Sequence, residues 1–184
     1  MTLETDRLIL RSWQETDAEA LYKYASHPDL GPIAGWLPHT SPENSKEIIR
    51  DMLSAPLTFA VVLKESTLPI GSISLMTGDA TDLTDLDNEC ELGYWLGRPY
   101  WGQGLIPEAA KRLIRYGFDV LNMQKIWSAY YDGNEKSKRV QGKCGFSYHH
   151  TAENIVVPLM GEIRTGHVNC LSQDEWKKKV FTNE

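Results

Sequence analysis

The sequence predicts an α+β protein in which helices pack on a mixed α/β sheet, within a single domain over residues 1–184. Seven segments have the apolar, β-branched and aromatic content of strands, and four have apolar residues at helical spacing. Some consecutive strands are separated by a short turn, as in a hairpin, and others by a helix, as in a crossover. Because hairpins give antiparallel pairs and crossovers give parallel ones, we expect both kinds of pairing in one sheet.

The predicted elements cover most of the chain. The strands are predicted at residues 3–13, 57–63, 70–76, 91–96, 125–131, 146–157 and 162–171. The helices are predicted at residues 17–27, 41–54, 104–121 and 134–144.

Local signals predict where the helices begin and end and where the loops lie. Ser41 is a preferred N-cap, Pro42 suits the first helical position, and Gly145 is typical of the position after a helix. Residues 28–42 contain four prolines and two glycines, which predicts a loop. Residues 77–89 carry five acidic residues and no basic one, which predicts a solvated acidic loop.

The composition excludes several classes of protein. A chain of 184 residues that is 41% hydrophobic and 24% charged has the balance of a globular protein, not of a disordered one. A net charge of −6 weakens a nucleic-acid-binding hypothesis. No apolar run approaches the ~18 residues of a membrane span, and no basic region leads into an apolar leader, so we expect a cytoplasmic protein.

No metal site is predicted. The three cysteines, Cys90, Cys144 and Cys170, are widely spaced and form no C-x-x-C pair, which favours reduced thiols. The five histidines likewise show no spacing that indicates a ligand set.

The segment 91–110, ELGYWLGRPYWGQGLIPEAA, is the stretch that indicates chemistry. A strand runs into Gly102-Gln103-Gly104 and then directly into a helix. Glycines allow a tight turn, and the first N–H groups of a helix have no partner within it, so this junction suits a phosphate or pyrophosphate. A plain strand-to-helix turn is the alternative; a P-loop lacks its G-K-[ST], and a dinucleotide-binding G-x-G-x-x-G is incomplete because Pro107 follows Ile106.

This segment resembles the acetyl-CoA-binding motif of the GNAT superfamily of N-acetyltransferases. It is most similar to the RimJ/RimL branch, which acetylates protein N-termini, including those of ribosomal proteins. The opening ETDRLILRSW, the strand ELGYWL, the segment NEKS with the later Gly145-Phe146, and the closing LSQDEW resemble the same family. The resemblance spans roughly residues 2–178. One position departs: Pro99 stands where the superfamily has Gln or Arg, which removes the basis for a pyrophosphate contact from that side chain.

The resemblance implies a GNAT-like fold with a mostly antiparallel sheet that splays between its fourth and fifth strands, at 91–96 and 125–131. The pantetheine arm of acetyl-CoA would pair with the fourth strand, and its pyrophosphate would lie on the glycine turn. The implied acetyl-CoA-binding residues are Tyr94, Trp95, Leu96, Trp101, Gly102, Gln103, Gly104, Leu105, Ile106, Asn134 and Ser137.

The resemblance also implies catalytic roles for Glu91, Asn134 and Ser137. Glu91 would act as the base. Glu89 is the alternative base, because residues two positions apart in a strand point to the same face. Asn134 would contact the pantetheine arm, although an Asn at a helix N-cap needs no function to explain it. Ser137 would donate a proton towards the leaving thiolate, with Tyr148 as an alternative donor.

The expected activity is direct acetyl transfer from acetyl-CoA to a primary amine, with no covalent enzyme intermediate. The resemblance favours the N-terminal α-amine of a protein or peptide, and the loop that carries Trp36 and His39 would border this acceptor. A small amine such as an amino acid, a polyamine or an aminoglycoside is the alternative acceptor, and a non-catalytic acyl-CoA-binding module is the alternative function. No nucleic acid or membrane is expected as a partner, and the oligomeric state, monomer or dimer, stays open.

Overall fold

The computed structural model describes residues 1–181 and contains eight strands and six α-helices in that range. The strands are β1 (Thr2–Glu4), β2 (Leu8–Arg11), β3 (Thr58–Leu63), β4 (Pro69–Met76), β5 (Glu89–Leu96), β6 (Lys125–Tyr131), β7 (Ser147–Val157) and β8 (Glu162–Ser172). The helices are α1 (Ala18–Ala25), α2 (Gly31–Ala34), α3 (Pro42–Ile48), α4 (Leu105–Asp119), α5 (Glu135–Cys144) and α6 (Gln173–Phe181).

All eight strands form one sheet in the order β1-β2-β3-β4-β5-β6-β8-β7. Every neighbouring pair is antiparallel except β5 and β6, which are parallel. That pair is short: only Glu89–Glu91 face Lys125–Trp127, and the two strands then separate. The predicted mixed, mostly antiparallel sheet and its splay after the strand at 91–96 are therefore confirmed.

The first predicted strand is in fact two strands. Residues 2–11 form the hairpin of β1 and β2, in which Thr2 pairs with Arg11. The turn is closed by Thr5, whose backbone N–H donates to the Leu8 carbonyl at 3.0 Å and whose hydroxyl accepts from the Leu8 N–H at 2.9 Å. This local hydrogen bonding explains why the sheet has eight strands and not seven.

The loop predicted at 28–42 contains the short helix α2. Pro32 suits its first turn, and Gly35 ends it in the left-handed conformation at φ 91°. At the next helix, the predicted cap is confirmed, because the Ser41 hydroxyl accepts from the Asn44 N–H at 3.1 Å. After Ile48 that helix continues as a π-helical turn over Ile49–Leu53.

The core lies on both faces of the sheet. On one face, the apolar side of α4 packs against the central strands with Ile106, Ala109, Ala110, Leu113, Ile114 and Phe118, all buried. On the other face, a second buried cluster joins α1 and the π-helical turn to β3 through Trp13, Leu21, Ala25, Ile49, Ala60 and Val62. Residues 60 and 62 alternate with 59 and 61 along β3, which places the two clusters on opposite faces.

Within the described range, none of the helices combines the length and the apolar character that crossing a membrane requires.

Candidate functional site

A cleft of about 480 Å³ opens where β5 and β6 separate. Its walls come from four parts of the chain: the end of β5, the glycine turn with the start of α4, one side of α5, and the segment that contains α2. The lining residues are Leu30, Ile33, Ala34, Tyr94, Trp95, Leu96, Tyr100, Trp101, Gly102, Gly104, Leu105, Ile106, Pro107, Asn134, Lys136, Ser137, Arg139, Val140 and Lys143.

The edge of β5 presents backbone groups to this cleft. The Leu92 carbonyl accepts from the Ser128 hydroxyl at 2.9 Å, and the Leu96 carbonyl accepts from the Trp101 indole N–H at 2.7 Å. Both carbonyls therefore point away from β4. Because peptide groups alternate along a strand, the N–H and carbonyl of Tyr94 point the same way, at a level where β6 no longer pairs. The cleft thus contains strand-edge hydrogen-bonding groups that an extended ligand can use.

The glycine turn forms the second wall. Gly102 and Gly104 have φ values of 77° and 74°, a left-handed conformation that other residues adopt at a cost. Over residues 1–181, no protein acceptor contacts the backbone N–H groups of residues 102–106. These groups lie at the N-terminus of the 15-residue helix α4, where the helix dipole is positive. The turn therefore presents unpaired N–H donors and the positive end of a helix dipole, a combination that favours an anion.

The loop that carries this turn is held by the N-terminal hairpin. Glu108, in the first turn of α4, forms an ion pair with Arg7 at 2.6 Å and accepts from the Thr5 hydroxyl at 2.6 Å. The Arg7 guanidinium also donates to the Gln103 carbonyl at 3.1 Å. Burial alone would raise the pKa of Glu108, but the hydrogen bonds from Thr5 and Arg7 outweigh it and lower that pKa.

Three cations on α5 form the third wall. Lys136, Arg139 and Lys143 recur at helical spacing and all line the cleft. The Lys136 ammonium lies over the Trp101 ring, 4.2 Å from its centroid, so the two walls meet across the cleft. The cleft therefore combines backbone N–H donors with positive charge in a protein whose net charge is −6.

Asn134 and Ser137 both line the cleft at the start of α5. The Asn134 side chain accepts from the Ser137 N–H at 3.1 Å, which is an ordinary N-cap bond. The Ser137 hydroxyl lies 2.8 Å from the Tyr94 hydroxyl and accepts from the Gln141 amide at 3.3 Å. Burial raises the pKa of Tyr94 to about 12. Tyr94 is therefore a neutral hydroxyl at physiological pH.

Glu91 and Glu89 lie on one face of β5 but in different environments. Glu91 does not line the cleft; its carboxylate accepts from the Thr81 hydroxyl at 2.7 Å, and burial raises its pKa. Glu89 is 4% exposed and is held by Trp127, Thr84 and Lys125. Burial alone would raise the pKa of Glu89, but these hydrogen bonds lower it. Glu89 is thus an ionised, fully paired carboxylate, whereas Glu91 has the carboxylate whose protonation lies closer to neutral pH.

Trp36 and His39 are not among the described residues that line the cleft; Leu30, Ile33 and Ala34 occupy that end instead. Trp36 packs edge-on against Trp95, with ring centroids 6.2 Å apart, and so supports a residue of the wall. The buried His39 ring bonds the Ser45 hydroxyl at 2.8 Å, and burial lowers its pKa.

The structure brings most of the residues predicted to bind acetyl-CoA into one cleft. Gln103 is the exception, because its side chain turns back to donate to the Pro99 carbonyl at 3.0 Å. Tyr148, the alternative donor, is 64% exposed and bonds Thr151. Sequence reasoning missed the side chain of Tyr94 and the buried Gln141. Gln141 carries a sequence signal, since an amide on the inner face of an amphipathic helix is unusual.

Comparison with known proteins agrees with this geometry. Residues 7–147 match the family described as "Acetyltransferase (GNAT) domain". The chain therefore belongs to the GNAT acetyltransferase family and is an acetyltransferase.

Individual relatives agree with this assignment. The chain is 30% identical over 151 residues to an uncharacterized N-acetyltransferase, p20, of Bacillus licheniformis, covering 79% of this chain and 82% of the relative. It is similar in fold to a putative ribosomal-protein-serine acetyltransferase from Vibrio cholerae, with a TM-score of 0.77, 23% identity, and coverage of 94% and 97%. It is also similar in fold to a spermidine N-acetyltransferase from Vibrio cholerae in complex with CoA and spermine. That match has a TM-score of 0.75, 16% identity, and coverage of 94% and 99%.

Proposed function

We propose that this acetyltransferase moves the acetyl group of acetyl-CoA to the α-amine of a protein or peptide N-terminus. The observation that carries the proposal is the meeting of a free strand edge at Tyr94 with the unpaired N–H groups of residues 102–106. Acetyl-CoA has a peptide-like pantetheine arm joined to a pyrophosphate. The pantetheine arm can form strand-like hydrogen bonds with the free edge at Tyr94, and the pyrophosphate can accept from the N–H groups of residues 102–106.

The cations of α5 support the same ligand. Lys136, Arg139 and Lys143 line the cleft opposite the turn, where they can neutralise the phosphates of the nucleotide. The residues present therefore suit an anionic nucleotide thioester. When bound, acetyl-CoA supplies an activated acetyl group, and the chain has to orient it, stabilise charge and handle protons.

Two groups on β5 are proposed for the chemistry at the carbonyl and the amine. The Tyr94 N–H would donate to the thioester oxygen as negative charge develops there. Glu91 would accept the proton that the amine loses through a water, because it lies outside the cleft lining and its raised pKa makes it a stronger base than a solvated carboxylate. Glu89 is a weaker candidate, since Lys125, Trp127 and Thr84 already occupy its oxygens.

Ser137 is proposed as the group that serves the leaving sulfur. Its hydroxyl lies on the cleft wall and would donate a hydrogen bond to the sulfur as the carbon–sulfur bond breaks. Tyr94 has a raised pKa of about 12 and so keeps its proton throughout.

The α-amine is the proposed acceptor for a chemical reason. Only a neutral amine attacks a thioester, and an α-amino group, with a pKa near 8, is neutral far more often at pH 7 than a lysine amine near 10.4. A carboxylate base of modest strength is therefore sufficient for it. The name of the ribosomal-protein-serine acetyltransferase supports the same choice, and with it the RimJ/RimL branch.

A polyamine is the second candidate acceptor, and the acidic residues of the segment 77–89 favour it. Besides burial, the charge of Asp82 raises the pKa of Glu91, so a second negative charge lies near that carboxyl. Neighbouring negative charges of this kind attract polycations. The likeness in fold to a spermidine N-acetyltransferase agrees with this alternative.

The test is acetyl-CoA turnover, followed by release of free thiol, against matched acceptors. The panel contains peptides that begin with Ser, Ala and Met, the same peptides with blocked N-termini and an internal lysine, and spermidine. Turnover with the free N-termini alone supports the proposal. Turnover with spermidine alone would show that the acceptor is a polyamine and would leave the proposed mechanism unchanged. Binding of CoA in a calorimeter without turnover on any amine would instead indicate a binding module, and absence of CoA binding would refute the proposal altogether.

A further inference from the structure

A buried polar chain behind the cleft joins three elements of the fold. Gln141, on the inner face of α5, is 1% exposed, and Asn169, on β8, is 7% exposed. The Asn169 amide donates to the Gln141 side-chain oxygen at 2.5 Å. The Gln141 amide nitrogen donates to the Ala129 carbonyl on β6 at 3.2 Å and to the Ser137 hydroxyl oxygen at 3.3 Å.

The orientation of the Gln141 amide follows from its partners. The Ala129 carbonyl can only accept, so the amide nitrogen must face it and the amide oxygen must face Asn169. With its two N–H groups directed at Ala129 and Ser137, Gln141 acts only as a donor towards the Ser137 hydroxyl. The serine proton therefore cannot point at Gln141.

This restriction leaves the serine proton two directions, towards Tyr94 or into the cleft. The Tyr94 hydroxyl lies 2.8 Å from the Ser137 hydroxyl and 3.2 Å from the Ser137 carbonyl, and it has one proton to donate. When Tyr94 donates to the Ser137 hydroxyl, both serine lone pairs are occupied by incoming N–H and O–H groups. The serine proton is then free to be donated into the cleft.

We infer that Gln141 and Asn169 are positioning residues that aim the Ser137 hydroxyl proton at the leaving sulfur. This inference rests on the proposed function, in which Ser137 serves that sulfur. Neither residue contacts the cleft: Asn169 orients Gln141, and Gln141 orients Ser137. A buried amide pair adds nothing to packing that two apolar side chains would not supply, so its place behind Ser137 is best explained by hydrogen-bond direction.

The test is a set of variants assayed for kcat, for KM of acetyl-CoA and for thermal melting. Gln141→Leu has nearly the same shape and removes both amide functions. We expect it to lower kcat about tenfold, the effect of one oriented hydrogen bond, and to change the KM of acetyl-CoA less than threefold. Lys138→Gln is the matched control, because Lys138 lies on the same helix, is exposed and does not line the cleft.

Two further variants separate positioning from structure. Gln141→Leu leaves the Asn169 amide and the Ala129 carbonyl without their Gln141 partners. The double variant Gln141→Leu/Asn169→Leu removes the first of these losses, so it should recover part of the melting temperature and keep the low kcat. Ser137→Ala should lower kcat, and adding Gln141→Leu to it should cause no further loss, since Gln141 acts through Ser137.

The outcomes are distinct. A double variant whose kcat rises together with its melting temperature would overturn the inference, as would independent, multiplying losses from Ser137→Ala and Gln141→Leu. If the wild type is active and Ser137→Ala leaves kcat unchanged, Ser137 has no role at the sulfur and this inference is overturned. A wild type that binds CoA and acetylates no amine would overturn the proposed function itself, which is a different result from any variant effect.

Discussion

Gly102→Ala should weaken CoA binding far more than its cost to folding explains. Gly102 has φ 77°, and a methyl group built on it meets nothing within 4 Å. The replacement therefore creates no clash inside the protein, and its folding cost is that of a left-handed alanine, about 1–2 kcal/mol. That cost lowers the melting temperature by about 2–4 °C for each kcal/mol in a chain of this size.

The effect on binding has a separate origin. The new methyl group would stand in the cleft beside the N–H groups of the turn, where the pyrophosphate is proposed to lie. Losing one hydrogen bond to a charged oxygen costs about 1.5–3 kcal/mol, which corresponds to a Kd for CoA about 10- to 150-fold higher.

Gly161→Ala is the matched control. Gly161 has φ 62° and open space around its added methyl group, and it lies in the turn between β7 and β8, outside the cleft. It should show the same loss of stability with an unchanged Kd. Calorimetric titration of CoA and a thermal melt measure the two quantities. Equal Kd values for the two variants would refute the assignment of the glycine turn as the phosphate site.

Three other substitutions test neighbouring parts of the site. Glu91→Gln should lower kcat and remove the acidic limb of the pH–rate profile. The base works when it is ionised, so wild-type activity falls as the pH drops through the raised pKa of Glu91. An unchanged profile in the variant would eliminate Glu91 as the base. The same raised pKa means that Glu91 holds its proton more tightly in the native state than in the unfolded state. Wild-type stability therefore falls as the pH rises from the unfolded-state pKa towards the folded-state pKa. Glu91→Gln should flatten that slope, which urea titrations at several pH values measure. Arg139→Gln should raise the KM of acetyl-CoA and reduce its dependence on salt, whereas the Lys138→Gln control should do neither. Gly31→Ala places a methyl group 2.5 Å from the Trp36 ring and 2.6 Å from its carbonyl oxygen, so it should cost about 1–3 kcal/mol of stability and displace the loop that carries Trp36. Because that loop is expected to border the acceptor, the acceptor KM should rise more than that of acetyl-CoA, and equal changes in both would argue against this placement.

The glycine turn illustrates what was predictable from the sequence. Gly102 and Gly104 adopt the left-handed conformation that only glycine favours, and the helix that follows has its free N–H groups by geometry. Such a signal is local, since it depends on residues adjacent in the chain. The same holds for the Ser41 cap and for the apolar face of α4, which the structure confirms.

The hairpin at the start of the chain was less predictable. The single strand predicted at residues 3–13 is divided because residues 5–7 form a polar turn. Two hydrogen bonds between Thr5 and Leu8 close this turn, and Glu108 from a distant helix supports it. Likewise, Trp36 folds back over Gly31 at the start of α2, so closely that an added methyl group would lie 2.5 Å from its ring. Both outcomes depend on contacts between segments that lie far apart or fold back.

The two carboxylates of β5 show most clearly what the sequence determines and what the tertiary structure decides. The sequence by itself determined that Glu89 and Glu91 share one face of a strand, and it also determined the fold family and the left-handed glycine turn before α4. Which carboxylate remains available was decided only by tertiary structure, because Trp127 and Lys125 from β6 reach Glu89 and not Glu91. The direction of the Ser137 hydroxyl was decided in the same way, by Tyr94 from β5 and by Gln141, which Asn169 from β8 orients. Backbone conformation follows from neighbouring residues, whereas the protonation and direction of a polar side chain depend on the burial and the partners that the folded sheet brings to it.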